Sequence, residues 1–361
     1  MSLTLEEILA IPPWSLAKND KQRLLLDRLK TLTVHHYQHC EPYRRMLDAQ
    51  SVEPHAIRRL EDLPFLPVSL FKTLTLKSVP DNEVFKTLTS SGTSGQQVSR
   101  IYLDKATAAL QQKTLVKIVN QFTGEGRLPL LIIDCPSVLK DRQQFSARGA
   151  GILGFSLFGS DRAWALNDDM TLNSDAVAAF LTKHQGKRIL LFGFTFMVWQ
   201  HFYKALAASQ RRFDLSQALL IHGGGWKKLQ HEAVSPADFA VRLHDVCALP
   251  RVHDYYGMVE QTGCISMQCE HGHLHASIFS DVIIRRPADF SPCAPGEPGI
   301  IQVLSVLAGS YPGHSLLTED EGVLVGEDDC ACGRKGKYFH VLGRLKRAEL
   351  RGCSDTYAAQ F

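Results

Sequence analysis

Four short segments of the 361-residue sequence gather residue types suited to phosphate, flat rings and divalent cations. The first is Thr89-Ser90-Ser91-Gly92-Thr93-Ser94-Gly95-Gln96. Its glycines let the backbone turn tightly, and its hydroxyls beside unpaired backbone N–H groups can wrap a polyphosphate; a polar surface turn has the same composition. It is not a Walker loop, because GxxxxGK[ST] is absent. The second is Asp254-Tyr255-Tyr256-Gly257-Met258-Val259-Glu260-Gln261-Thr262-Gly263. An aromatic pair before glycine can wall a planar ring, and the carboxylate of Glu260 can hold Mg²⁺ between phosphates; an ordinary strand-end turn is the alternative. The third is an acidic turn, Leu317-Thr318-Glu319-Asp320-Glu321-Gly322, and the fourth is Val341-Leu342-Gly343-Arg344-Leu345-Lys346, which leads to Arg351-Gly352. Taken singly, acidic turns and Gly-Arg steps are usually solvated.

Three further groups carry other chemistry. Cys269-Glu270-His271-Gly272-His273-Leu274-His275 and Cys330-Ala331-Cys332 together supply enough soft ligands for a tetrahedral structural Zn²⁺ site. Strand alternation puts Cys269, His271, His273 and His275 on one side, although Gly272 bends the run. The preferred ligand set is Cys269, His275, Cys330 and Cys332, with reduced, metal-free cysteines as the alternative. Cys353 follows Arg351-Gly352, and a thiol beside an arginine near a chain end can act as a nucleophile or acyl acceptor, or be an incidental exposed cysteine. The rings of Phe192, Phe194, Phe196, Trp199, Phe202 and Tyr203 are mostly core, and a few can line a cavity that suits a flat acid better than an alkyl chain.

The elements that must position these groups alternate. A long helix is expected over 20–49, and then a proline-punctuated arm. Next come a strand at 85–89, the hydroxyl loop, a helix from Asp104, and strands at 128–134, 154–158, 188–194 and 218–224, with helices over 174–183 and from Met197. That texture is α/β with a largely parallel sheet. After about residue 252 the runs become short and β-rich. The expected organisation is a helical arm (1–84), an α/β subdomain with the hydroxyl loop (85–251), a β-rich subdomain (252–343) and a short final segment (344–361).

Composition narrows the function classes. With 40 Lys+Arg against 37 Asp+Glu, the net charge of +3 gives no basic stripe for nucleic acid. The N-terminus MSLTLEEILAIPPW has two Glu and no basic segment, unlike a secretory signal, and the run Ile189–Trp199 is far short of the ~20 residues of a membrane span. Nine cysteines, an odd number, argue against a secreted disulfide framework. A soluble, cytoplasmic enzyme is expected.

In order and spacing, the four segments resemble the signature series of the adenylate-forming superfamily across residues 85–352. SSGTSGQ followed by SRIYLD, the HGGGWKK run at 222–228 and the RGCS end resemble its acyl-protein synthetase branch, the fatty-acid-activating enzymes of bacterial luminescence and their relatives. The CxCGR step at 330–334 is similar to phenylacetate-CoA ligases, and some relatives act on aromatic acids such as phenazine carboxylates in antibiotic pathways. The resemblance implies the large N-terminal domain of an adenylate-forming enzyme, two α/β sheets plus a β-rich subdomain, using ATP and Mg²⁺. It implies that Ser90, Ser91, Gly92, Thr93, Ser94 and Gly95 grip the ATP phosphates. Gly223, Gly224 and Gly225 would lie along the adenine and acyl pocket, and Tyr255, Tyr256 and Gly257 would flank adenine. Glu260 would hold Mg²⁺, Asp320 the ribose hydroxyls, and Arg344 ribose and phosphate. The implied reaction is attack of a carboxylate on the α-phosphorus of ATP, then transfer to a protein thiol such as Cys353 or delivery to a reductase or carrier protein.

Two departures stand out. Gln97, Val98 and Ser99 occupy the stretch where family members carry a lysine after the hydroxyl loop, and the chain stops at Phe361, before the roughly 100 residues that in the family carry a catalytic lysine. Either that lysine is replaced, with Lys346, Lys227 and Lys228 as candidates, or adenylation is slow, or a partner completes the site. The alternatives are an acyl-CoA ligase and a non-catalytic acyl-adenylate- or nucleotide-binding relative. A hydrolase reading of His222-Gly223-Gly224-Gly225 lacks a GxSxG partner.

Overall fold

The computed structural model describes residues 3–90, 98–139 and 147–345. In chain order the elements that matter here begin with α1 (Lys18–His39), α2 (Glu41–Ala49), β1 (Lys86–Thr89), β2 (Arg100–Leu103) and α3 (Lys105–Thr123). They continue with β3 (Leu128–Ile133), α4 (Ala147–Phe155), β4 (Gly159–Trp164), α5 (Ser174–Lys183), β5 (Ile189–Phe194), β6 (Ala218–Gly223), α6 (Pro236–Cys247) and β7 (Arg251–Tyr256). The series closes with β8 (Leu274–His275), β9 (Ser280–Arg285), β10 (Pro298–Ser305), β11 (Ser315–Glu327) and β12 (Lys337–Arg344). The chain forms two compact units: Met1–Ile118 with Gly257–Ser266 and His273–Phe361, and Val119–Tyr256 with Met267–Gly272.

In the first unit the expected long helix is two. Cys40 breaks it in an extended conformation (φ −126°, ψ 99°), and Pro42 then sits in the first turn of α2. Proline inside a continuous helix would lose a hydrogen bond and press on the carbonyl four residues back, whereas in a first turn it costs nothing. Lys21, Leu25, Leu29, Leu32 and His36 form the buried stripe of α1. Lys21 is there because it donates to the Ala276 carbonyl (3.0 Å) and pairs with Asp281 (3.4 Å), which also holds Lys337 at 2.9 Å. Strands β9, β10, β11, β12 and β8 follow one another in an antiparallel array.

Deeper in this unit His36 stacks on His314, with centroids 5.0 Å apart. His36 Nδ1 lies 2.7 Å from Ser78 Oγ and Nε2 2.9 Å from the Ala308 carbonyl oxygen, while His314 Nε2 lies 2.9 Å from Thr33 Oγ1. Tyr43 and His35 complete the surroundings. Burial holds both imidazoles neutral, His314 down to about 3. A histidine depressed on folding costs stability once the unfolded chain begins to protonate, so its penalty is absent above about pH 6.5 and grows as pH falls below it. His314→Gln should therefore flatten the fall in Tm between about pH 6.5 and 4 relative to the wild type, read by thermal melts across that window. Parallel curves would mean that His314 already titrates in the folded state.

The second unit is built on a parallel sheet in the order β7-β6-β5-β3-β4. Strands covered on both faces read as unbroken apolar runs, here LPLLII and ILLFGF. Leu131, Ile133, Leu191, Val198, Trp199, Phe202, Phe239 and Leu243 form the centre of its core. The strand expected at 154–158 is instead the end of α4 and a short helical turn, and the pairing strand is Gly159–Trp164. Leu130 presses on Gly159, where a Cβ would come within 2.8 Å of it, so the chain can enter the sheet only at this glycine. The helix expected from Met197 begins at Thr195 and passes through a π-helical stretch, Val198–Tyr203.

Candidate active site

In the first unit, strand register brings two of the expected nucleotide-side residues together. Asp320 on β11 is the pairing partner of Arg344 on β12. Arg344 Nε lies 3.8 Å from Asp320 Oδ1, and Nη2 lies 4.0 Å from Glu319 Oε2. The acidic segment read as a turn is thus part of a 13-residue strand. Bulges at Glu321/Gly322 and Leu324/Gly326 break its alternation and hide it from pattern reading. The Arg344 side chain is 78% exposed and that of Asp320 21% exposed, so the guanidinium faces solvent at the rim.

Glu260 belongs to the same unit and is almost fully buried, in the helical turn Val259–Gln261. The turn is clamped from behind. Tyr311 Oη donates to the Glu260 carbonyl (2.8 Å) and receives from Gln111 Nε2 (3.2 Å), while Gln261 Nε2 donates to the carbonyls of Gly313 (2.8 Å) and Val303 (3.1 Å). Gly263 follows at φ +90°, where a Cβ would sit 2.5 Å from the Gln111 carbonyl oxygen. Burial pushes the Glu260 carboxyl up, and the Ser99 hydroxyl and the charge of Lys72 offset this in part. A carboxylate so placed gains from a cation, and its hard oxygen donors suit Mg²⁺.

The hydroxyl loop springs from the β1–β2 hairpin, closed where the Ser90 amide donates to the Ser99 carbonyl (3.2 Å) and the Ser99 amide to Ser90 Oγ (2.9 Å). Ser91, Gly92, Thr93, Ser94 and Gly95 lie outside the described residues, as do Lys346 and Cys353.

In the second unit the glycine run ends β6. Gly223 pairs with Tyr255 of β7, and a Cβ on Gly223 would lie 2.6 Å from the Tyr255 ring. Gly224 (φ +83°) meets the Phe194 ring in the same way, at 2.7 Å, whereas Gly225 (φ +62°) opens on free space. Phe155 stacks on Phe192 with centroids 4.1 Å apart and lies 5.2 Å from the Tyr255 ring, so four rings gather at the carboxyl ends of the strands. In open parallel sheets that edge is where ligands bind. Tyr256 is half-buried at the end of β7. Gly257 falls in the first unit, where a Cβ would meet Ile265 at 2.8 Å.

Sequence reading missed several polar partners here. His222 Nδ1 lies 2.9 Å from Thr195 Oγ1 and 3.6 Å from Asp254 Oδ1. Burial lowers His222 to about 3 and raises Asp254 to about 7, so the imidazole is neutral at pH 7. Asp134, at the end of β3, receives Arg148 Nε on Oδ2 at 2.9 Å and Nη2 on Oδ1 at 3.1 Å. These are single polar residues 14 to 32 positions apart, and only the parallel sheet aligns them. Of the expected zinc ligands, His275 and Cys332 come together in the first unit, Nε2 3.4 Å from Sγ, and that unit also holds Cys330, whereas Cys269 belongs to the second.

Comparison with known proteins places the chain. The family model described as acyl-protein synthetase, LuxE, matches residues 2–361. The chain belongs to the acyl-protein synthetase family. This acyl-protein synthetase is 25% identical to the long-chain-fatty-acid–luciferin-component ligase of Vibrio harveyi, over 96% of its own length and 90% of the relative's. It is 24% identical to the ligase of the same description from Aliivibrio fischeri, over 94% and 89%. Among solved structures it resembles 2-hydroxyisobutyryl-CoA ligase in complex with 2-HIB-AMP and CoA. There the TM-score is 0.69 at 14% identity, covering 92% of the synthetase and 72% of that ligase. The synthetase is therefore an acid ligase with the mixed α/β fold of adenylate-forming enzymes. Among the described residues no helix is long and apolar enough to cross a membrane.

Proposed function

We propose that the chain activates a hydrophobic carboxylic acid with ATP, releasing pyrophosphate, and passes the acyl group to a protein thiol. The observation that carries this is the strand register that sets Asp320 opposite Arg344, in the unit that holds Glu260 on its clamped turn. A carboxylate oxygen of the acid attacks the α-phosphorus, and the bond to pyrophosphate breaks with its electron pair. Arg344 supplies positive charge at the rim for phosphate and ribose, Asp320 accepts from the ribose hydroxyls, and the clamped turn holds the Glu260 carboxylate in place without reorganisation. Ser90, Ser91, Gly92, Thr93, Ser94 and Gly95 are assigned to the phosphates, and Gly223, Gly224, Gly225, Tyr255, Tyr256 and Gly257 to adenine and the acyl group. Glu260, with loop hydroxyls, would hold Mg²⁺, which when bound offsets phosphate charge. The thiolate of Cys353 then attacks the acyl carbon, AMP leaves, and the thioester is handed to a reductase or carrier. Lys346 is the proposed replacement for the family's lysine.

The cluster of Phe155, Phe192, Phe194 and Tyr255 favours a flat polycyclic acid of phenazine type, because rings stack in offset pairs. A long-chain fatty acid is the second reading, favoured by the descriptions of the Vibrio and Aliivibrio relatives. Pyrophosphate exchange with a panel of both classes decides between them. No exchange with either class, despite ATP binding, would reduce the chain to a binding protein. Asp320→Ala should cut exchange about tenfold or more, chiefly through KM for ATP. Unchanged KM would remove Asp320 from the ribose.

A further inference from the structure

We propose that His36 is a positioning residue for Glu260: with His35 and Ser78 it fixes the backbone of the loop 306–314, and that loop holds the turn on which Glu260 sits. The proposal rests on the assignment of Glu260 to Mg²⁺ made above. The loop joins β10 to β11 and is buried except at Gly309, an unusual place for irregular backbone, because a carbonyl left there without a donor is costly. The N-terminal arm supplies the donors in series. Three consecutive carbonyls, those of Ala308, Gly309 and Ser310, accept from His36 Nε2 (2.9 Å), His35 Nε2 (3.1 Å) and the Ser78 amide (2.7 Å). A carbonyl can only accept, so both imidazoles carry a proton on Nε2, and the bare Nδ1 of His36 receives the Ser78 hydroxyl at 2.7 Å. At the end of the loop Thr33 Oγ1 donates to the Leu29 carbonyl (2.8 Å) and therefore accepts from His314 Nε2 (2.9 Å).

The same loop grips the turn of Glu260. Tyr311, the residue after the last of those three carbonyls, donates to the Glu260 carbonyl (2.8 Å), and the Gly313 carbonyl accepts from Gln261 Nε2 (2.8 Å). Gly313 packs so closely that a Cβ there would sit 2.9 Å from the Glu260 carbonyl oxygen. Displacement of the loop therefore acts on both residues of the turn, and every link lies within the first unit. A leucine at position 36 would fill the space but leave the Ala308 carbonyl without its donor. Imidazole alone serves three neighbours at once: it donates to the loop, accepts from Ser78 and stacks on His314 at 5.0 Å. A carboxylate that holds a cation depends on such outer supports for its orientation.

The test uses the full chain and two readouts. In His36→Leu the Mg²⁺ concentration for half-maximal pyrophosphate exchange should rise about tenfold, with KM for the acid within about twofold of the wild type, and His36→Gln, which keeps a donor near the place of Nε2, should recover most of the loss. A loss of folded protein alone lowers the rate without moving the Mg²⁺ requirement, as expected for Leu25→Ala in the core of the same helix. The second readout needs no activity: by hydrogen–deuterium exchange and mass spectrometry, the amides of 257–264 should deuterate about tenfold faster in His36→Leu, with the parallel sheet of the second unit unchanged. Because His36→Leu can fail to fold, Ser78→Ala, which deletes only the hydroxyl that His36 accepts, is measured beside it and should show both changes at about threefold. Unchanged deuteration of 257–264 in the folded variants overturns the proposal. So does an unchanged Mg²⁺ requirement in a chain whose Glu260→Gln variant has lost pyrophosphate exchange. Full pyrophosphate exchange in Glu260→Gln would instead bring down the assignment of Glu260, and deuteration would still report whether His36 holds its turn.

Discussion

Glu260→Gln should lower acid-dependent pyrophosphate exchange by about tenfold or more while leaving Tm unchanged or slightly higher. The two halves of that result have separate causes. Losing the charge removes the hard oxygen donor assigned to Mg²⁺, so titrating Mg²⁺ should recover part of the rate in the wild type at low metal but little in the variant. Stability moves the other way because burial raises the Glu260 carboxyl. A carboxyl raised on folding costs stability above its unfolded pKa, where it must ionise in the interior, and glutamine keeps the shape without that cost. A variant that loses exchange and also melts well below the wild type would show that Glu260 holds the fold, and full exchange would remove it from the site.

Cys353→Ser should abolish the covalent acyl adduct seen by intact-mass analysis after incubation with ATP and the preferred acid, yet leave exchange within about twofold of the wild type. Exchange reports only the first half-reaction, in which no thiol takes part. The adduct requires a sulfur to displace AMP, and a serine hydroxyl is a far weaker nucleophile at neutral pH. Retention of an acyl adduct on the variant would move the acceptor role to another residue, and loss of exchange together with the adduct would mean that the C-terminal segment helps build the activation site.

The sequence was legible where one local pattern decides the outcome. The apolar runs of β3, β5 and β6 mark a parallel sheet because both faces of each strand are covered. Cys330 and Cys332 stand out because they flank a single alanine, and His275 Nε2 lies 3.4 Å from Cys332 Sγ. Legibility failed where two distant segments make one element. Strand β11 was invisible because its bulges destroy the two-residue alternation, and the break at Cys40 was missed because the apolar stripe continues across it to Tyr43, Met46 and Leu47. Nor could a sequence reading connect Gln111 to Tyr311 and the Glu260 carbonyl, since that chain of hydrogen bonds spans 200 residues and involves no motif. The resemblance assigns Glu260, Asp320 and Arg344 to the nucleotide; the packing shows how their backbone is held.

The hairpin of β11 and β12 carries a last implication. Its connecting loop runs from Asp328 to Gly336, closed by the Gly336 amide on Asp328 Oδ1 (2.7 Å) and the Asp328 amide on the Gly336 carbonyl (3.1 Å), and it holds Cys330 and Cys332. In an antiparallel pair the loop sets the count for every rung beyond it, and two bulges between loop and rim each absorb a residue in that count. Asp320 and Arg344 face each other only if the count from Glu327 and Lys337 is kept. A miscount of one would turn one of the pair to the opposite side of the sheet. The alignment of Asp320 with Arg344 is therefore decided at the far end of the ladder, in the loop from Asp328 to Gly336.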